Sequence, residues 1–192
     1  MVEQFTGLPI EHNDLGGSGI HATRSGVVTT VVADEDEARE LVGELLSYLP
    51  QSNSDAPPYR PTADPADRLC PELRDIVPAS PSGSYDVRQV IEAVADDNII
   101  TELRARWASN LITAFANIGG HPVGIVANQP QVLAGTLDIA ASQKGGRFVG
   151  LCDAFNLPII TFVDTPGFQP GKDLEWRGIC LLYTSPSPRD RG

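Results

Sequence analysis

Three short polar segments hold the groups best suited to contact a ligand. They are Asn128-Gln129-Pro130 directly after Ala127, the pair Gly135-Thr136, and Asp164-Thr165-Pro166-Gly167-Phe168. Their content is carboxamide, hydroxyl, glycine, proline and one carboxylate, a set that orients a ligand and offers backbone N–H donors rather than moving protons. Pro166 followed by Gly167 predicts a type II turn that presents the N–H groups of Gly167 and Phe168. Asp164, at a strand end, reads first as a turn or cap residue bonded to backbone N–H groups; a catalytic carboxylate is the minority reading.

These segments need a scaffold, and the flanking residues predict one. Residues 123–127 and 159–163 are short β-rich apolar runs bounded by Gly, Pro and Asn, as in strands buried on both faces of a sheet. Between them Phe148, Leu151, Cys152 and Phe155 recur at i, i+3, i+4 and i+7, one apolar stripe of a covering helix. The unit is a strand–helix–strand crossover, and loops leaving the carboxyl ends of such strands open onto a ligand crevice.

Upstream, residues 111–118 and 122–127 predict two strands joined by a tight turn at Gly119-Gly120. Residues 27–32 form a further strand candidate. Asp34 with Glu37 predicts a capped helix with apolar residues Ala38, Leu41, Val42, Leu45, Leu46 and Leu49, stopped by Pro50. Asp86 predicts the cap of another helix, with Val87, Val90, Ile91 and Val94 as its stripe. Residues 51–84, dense in Pro, Ser, Asp and Asn, read as an extended linker held to a surface by Leu69, Leu73, Ile76 and Val77.

Composition excludes several classes. A net charge of −11, from 14 Lys plus Arg against 25 Asp plus Glu, argues against nonspecific binding to nucleic acid or anionic membranes. Cys70, Cys152 and Cys180 are odd in number and lack a C-x-x-C pair, which indicates neither a disulfide framework nor zinc and fits a reducing cytoplasm. No apolar run reaches the roughly 18 residues of a membrane span, and the N-terminus has no leader pattern. His12, His21 and His121 stand apart, so metal ligation is not expected. The glycines of LGGSG (residues 15–19) read as a flexible turn. Lys144 and Arg147 on the crossover helix read as solvated or inter-subunit charges, or as partners of a phosphate. Gly145-Gly146 within that helix predicts close packing against another helix.

Together the motifs VGIVANQP (123–130), VLAG (132–135), RFV (147–149), CDAFNLP (152–158) and VDTPGFQPG (163–171) resemble the carboxyltransferase subunit of biotin-dependent acyl-CoA carboxylases, of the propionyl-CoA or acetyl-CoA type. LGG (15–17), His21, SGV (25–27), DPADRL (64–69) and YDVRQVI (85–91) continue in the same order, so the resemblance covers residues 1–178. It implies an α/β, crotonase-like fold of two spiral halves. Residues 1–50 would end the first half, 51–84 link, and 85–178 open the second; 179–192 read as a foreign tail. It also implies transfer of carboxyl from biotin, carried on a partner, to the α-carbon of a short-chain acyl-CoA. Two enolate oxyanions must then be stabilised by backbone N–H groups. The family's oxyanion glycines lie outside this chain, so Ala127, Asn128, Gln129, Gly135, Thr136, Asp164, Pro166, Gly167 and Phe168 are expected to line the biotin and acyl-CoA cleft. A biotin carboxylase or carrier subunit and further carboxyltransferase copies, a hexamer in the family, are the implied partners, with no metal on this chain. A non-catalytic assembly fragment and a biotin-dependent acyl-CoA decarboxylase subunit are the rival readings.

Overall fold

Among the described residues four strands form one mixed sheet in the order β1-β2-β3-β4: Ile100–Glu102, Leu111–Ile118, His121–Asn128 and Ile159–Phe162. The structure, a computed structural model, describes residues 7, 9, 11–65, 67–80 and 83–179. Cys180 and the expected foreign tail beyond residue 179 fall outside them, while Ile179 itself is buried.

β2 and β3 form the expected hairpin, antiparallel from Leu111 opposite Asn128 to Ile118 opposite His121. Its turn residues Gly119 and Gly120 have φ of +58° and +80°, which suits residues without a Cβ. The buried Asp96 carboxylate accepts the N–H of Gly119 at 2.8 Å and of Gly120 at 2.7 Å, tying the turn to the chain before β1. Asp96→Ala is therefore expected to cost about 2 kcal/mol, read as a lower urea midpoint at unchanged slope.

Beyond β3 the chain enters a long helix, Ile139–Ala154, and returns as β4 parallel to β3, with Gly124 opposite Ile159 and Ala127 opposite Phe162. This is the expected crossover. β4 is not buried on both faces, however. Ile159 and Thr161 are exposed, as is Val163 just beyond it, because the crossover helix lies over β2 and β3 and β4 is the last strand of the described sheet.

Two layers of helix cover the sheet. On one face the helix Val87–Val94 packs Val87 and Ile91 on Ile112, Ala114, Val123, Ile125 and Ala127. On the other, Phe148 and Cys152 of the crossover helix meet Phe115, Leu103 and Tyr48. Tyr48 ends the helix Glu35–Tyr48; its ring stacks 5.4 Å from Phe115 and its hydroxyl pairs with Thr101 at 3.0 Å. In chain order these helices are α1 (Glu35–Tyr48), α2 (Val87–Val94) and α3 (Ile139–Ala154). The expected box opens α1: Asp34 Oδ1 accepts the Glu37 N–H at 2.9 Å, and Glu37 reaches back to the Ala33 N–H at 2.6 Å.

Several local expectations are corrected. Residues 27–32 join no ladder among the described residues; Thr29 offers one carbonyl to the Arg104 N–H at 3.0 Å. On α1, Val42 and Leu46 face outward while Leu45, and Leu49 just after the helix, reach the core. LGGSG is wound into the short helical turns His12–Gly16 and Ser18–Ile20. Of the four apolar anchors expected in the 51–84 segment, Leu69 is 88% exposed and Val77 is exposed, whereas Leu73 and Ile76 are half-buried, and polar groups add to the anchoring. Arg68 pairs with Asp64 at 2.6 Å and donates to the carbonyls of Ala93 and Ala95, and the Arg60 N–H bonds the Gly120 carbonyl. Gly145 permits close approach, but to strand residue Leu111 rather than to a helix, and Gly146 meets nothing.

Candidate functional site

The loops leaving β3 and β4 are stitched together at the carboxyl ends of these strands. Asn128 Nδ2 donates to the Gly135 carbonyl at 3.0 Å, and Asn128 Oδ1 accepts the Asp164 N–H at 3.4 Å. Farther out, the Leu137 N–H bonds the Gly167 carbonyl at 3.1 Å and the Gln169 N–H bonds the Leu137 carbonyl at 2.8 Å, a parallel bridge outside the sheet. Gly135, at φ +71°, lies where the two loops touch; a Cβ there would overlap the Asp164 carbonyl oxygen.

The structure brings the nine expected residues into one region but divides their roles. Ala127, Asn128, Gln129 and Gly135 are buried, and two of these form locks. Besides Asn128, Gln129 donates from Nε2 to Asp86 Oδ1 at 2.6 Å and accepts the Val87 N–H at 3.3 Å, which fastens the β3 loop to the start of α2. Burial pulls the Asp86 carboxyl upward. The Gln129 carboxamide, the Arg88 N–H and the Arg88 charge outweigh this and leave it below its ordinary range. Arg88 is in turn clamped by Glu102 at 2.7 and 3.1 Å.

Asp164, Pro166 and Phe168 are exposed, and Thr136 and Gly167 half-buried. Asp164 does not bond a turn N–H through its carboxylate as expected. Its Oδ2 accepts the Tyr85 hydroxyl at 2.8 Å, and burial together with this partner pushes Tyr85 up to about 12. The predicted type II turn is also absent. Gly167 has φ +128°, and its N–H is taken by Thr165 Oγ1 at 3.1 Å, a local side-chain bond that replaces the turn.

Next to this seam opens a cleft of about 340 Å³. Asp138 and Gln169, the neighbours of the bridged Leu137 and Phe168, form part of its wall, as do Arg24, Trp107, Gln143 and Arg177. Neither Arg24 nor Arg177 has an acidic or hydrogen-bonded side-chain partner among the described residues. Arg104, below the cleft, is lowered by burial and by the charge of Arg147. The cleft thus offers guanidinium and carboxamide donors to an anion. Sequence reasoning missed these lining residues, since they come from segments 24–177 with no shared motif. Lys144 is not at the surface as expected but fully buried, whereas Arg147 is exposed. Among the described residues no three His, Cys, Asp or Glu side chains form a metal-binding group, and no helix is long and apolar enough to cross a membrane.

Comparison with known proteins agrees with this geometry. The pattern of the carboxyl transferase domain matches residues 1–181. The propionyl-CoA carboxylase carboxyltransferase subunit of Haloferax mediterranei is 44% identical over 188 residues, 95% of this chain and 36% of that protein. The 12S transcarboxylase, solved as a hexamer with methylmalonyl-CoA and methylmalonic acid bound, superposes at a TM-score of 0.90 with 42% identity over 95% of this chain and 35% of its own. A single-chain, multi-domain long-chain acyl-CoA carboxylase gives 0.75 with 31% identity, over 94% of this chain and 17% of its own. The chain spans about a third of the length of the curated relatives it matches. The mixed sheet, its crossover and its helical layers are those of the crotonase-like α/β fold. With the family pattern running nearly end to end and the same fold beneath it, this chain belongs to the carboxyl transferase domain family.

Proposed function

We propose that this chain forms part of the carboxyltransferase component of a biotin-dependent acyl-CoA carboxylase, which moves carboxyl from carboxybiotin to the α-carbon of propionyl-CoA or acetyl-CoA. The observation that carries this reading is the stitched β3–β4 seam beside a cleft rich in cationic and carboxamide donors. Both substrates are anionic, one a carboxylate and one a thioester bearing phosphates, and guanidinium groups suit both. Carboxybiotin, carried on a partner subunit, supplies the activated carboxyl group. The chain's own residues orient and confine. Asn128, Gln129 and Gly135 set the seam, while Thr136, Asp164, Pro166, Gly167 and Phe168 present its outer surface. None of these loops supplies a base. Tyr85, pushed up to about 12, stays protonated near neutrality, and Asp164 is engaged in accepting its hydrogen bond.

In the complete subunit residues 1–50 would close the first half of the fold, 51–84 link, and 85–178 open the second, with 179–192 foreign to it. The working enzyme would be a cytoplasmic oligomer of such subunits, bound to a biotin carboxylase or carrier partner, with no metal held by this segment. The test is carboxylation of propionyl-CoA and of acetyl-CoA by the complete subunit with its biotinylated partner; no transfer to either would refute the reading. In that assay Asp164→Asn is expected to keep activity within about 3-fold, because the amide oxygen still accepts from Tyr85. Near-complete loss with the fold intact would make the carboxylate a participant.

A further inference from the structure

Lys144 and Lys172 are the only lysines in the sequence; the other members of the Lys plus Arg set are arginines. Lys172 is exposed, its Nζ 4.5 Å from the Trp176 ring centre. Lys144 has no exposed surface. Its Nζ lies 2.7 Å from the Leu111 carbonyl, 3.0 Å from those of Arg104 and Trp107, and 3.4 Å from that of Ala108. No carboxylate pairs with it among the described residues. Converging carbonyl dipoles take the place of a counter-charge. A compact ammonium with three rotatable donors fits such a cage, whereas the planar fork of arginine does not.

Three of the four carbonyls, those of Arg104, Trp107 and Ala108, belong to a segment that has no ladder of its own, and the fourth, that of Leu111, opens β2. Residues 103–110 are bends and turns, and Arg104 and Ala108 hold φ of +54° and +46° without being glycine. Such backbone persists only where its surroundings over-determine it, and both residues put their carbonyl on Lys144. From this segment Trp107 lines the cleft, its ring so close to Gly26 that a Cβ there would overlap it. Asn110 reaches the seam. Its carbonyl accepts the Gln129 N–H at 3.0 Å, and its Nδ2 donates to the Thr136 carbonyl at 2.8 Å and to Asp138 at 3.4 Å.

We propose that Lys144 is the positioning residue of this site: its internal ammonium gathers the 104–111 carbonyls and so fixes Trp107 in the cleft and Asn110 against the β3–β4 seam. The role builds on the carboxyltransferase reading of the cleft. It also makes the site sensitive to mild alkali. Burial draws Lys144 down to about 8. Glu102 on β1 opposes this, while Arg88 on α2 and Arg104 on the segment itself add to it. Above that pH the neutral amine keeps two donors for four carbonyls, and the strained backbone is free to relax.

The experiment uses the 192-residue chain labelled with [13Cε]lysine, which gives two lysine resonances, in a Trp176→Phe background where Trp107 is the sole tryptophan. The expected result is a Lys144 resonance that titrates near pH 8, a shift of Trp107 emission with the same midpoint, and a cooperative melt on both sides of it. Lys144→Met should abolish the emission transition and speed amide exchange at Gln129 at least 10-fold at pH 7. The role is overturned if Lys144 titrates together with Lys172, if Trp107 ignores its titration, or if Lys144→Met leaves emission and exchange as in the parent. Should that variant fail to fold, the titration of the parent decides alone. Failure of acyl-CoA to bind while these responses persist would count against the carboxyltransferase reading and not against Lys144.

Discussion

Gly135→Val is expected to lower carboxyl transfer by the complete subunit at least 10²-fold, equivalent to about 2.7 kcal/mol of barrier. Two effects act together. At φ +71° a β-branched residue is strained by roughly 1–2 kcal/mol, and its Cβ would overlap the Asp164 carbonyl, a backbone atom that cannot rotate away. The loops must part. Parting breaks the Asn128–Gly135 bond and then the Leu137–Gly167 and Gln169–Leu137 bonds beyond it. Amide exchange at Leu137 and Gln169 should therefore rise together with the loss of turnover. Gly135→Ala, with the same Cβ but no branch, should show a smaller loss of the same kind. Unchanged turnover in Gly135→Val would remove the seam from the reaction.

Gly124→Val should have the largest effect on stability, about 3 kcal/mol or more. Gly124 sits in β3 beneath α3, and a Cβ there would lie 2.5 Å from Cys152 Sγ and 3.2 Å from the Phe148 ring. Helix and strand are in contact because this position has no side chain. Cys152→Ala removes the nearer obstacle, so the double variant should lose less stability than the two single losses added, and urea titration of all four proteins measures the coupling. The thiol also reports unfolding. Burial pushes Cys152 up to about 12, so a thiol reagent near neutrality should label it only when the core opens.

Local signals carried most of the scaffold. The apolar stripe of α3, the paired glycines of the hairpin and the aspartates that start α1 and α2 each sit within a few residues of the structure they cause, and each is observed. Local reasoning failed where a residue is defined by a distant partner. Asp164 takes its role from Tyr85 and Gln129 from Asp86, and no spacing rule connects either pair. Lys144 looked like a surface charge because nothing near it in sequence announces that four carbonyls some 35 residues upstream converge on it. β4 shows a related limit: its apolar pattern matches a fully buried strand, but how far α3 extends across the sheet decides its exposure.

The order of the strands also has a kinetic meaning. β2 and β3 are closed by a two-residue turn, whereas β4 reaches β3 only after residues 129–158 have folded across. Loop-closure entropy alone separates the two pairings by about 2 kcal/mol. The hairpin is thus the early local event, and the parallel pairing is the late one. Local opening runs in the opposite order, so β4 and the loop after it should exchange their amides before the hairpin does. The candidate site is therefore assembled at the last seam of the sheet to form and the first to fray. The part of the molecule that would hold substrate is thus the part in which a bound ligand, by favouring the closed state, most slows opening.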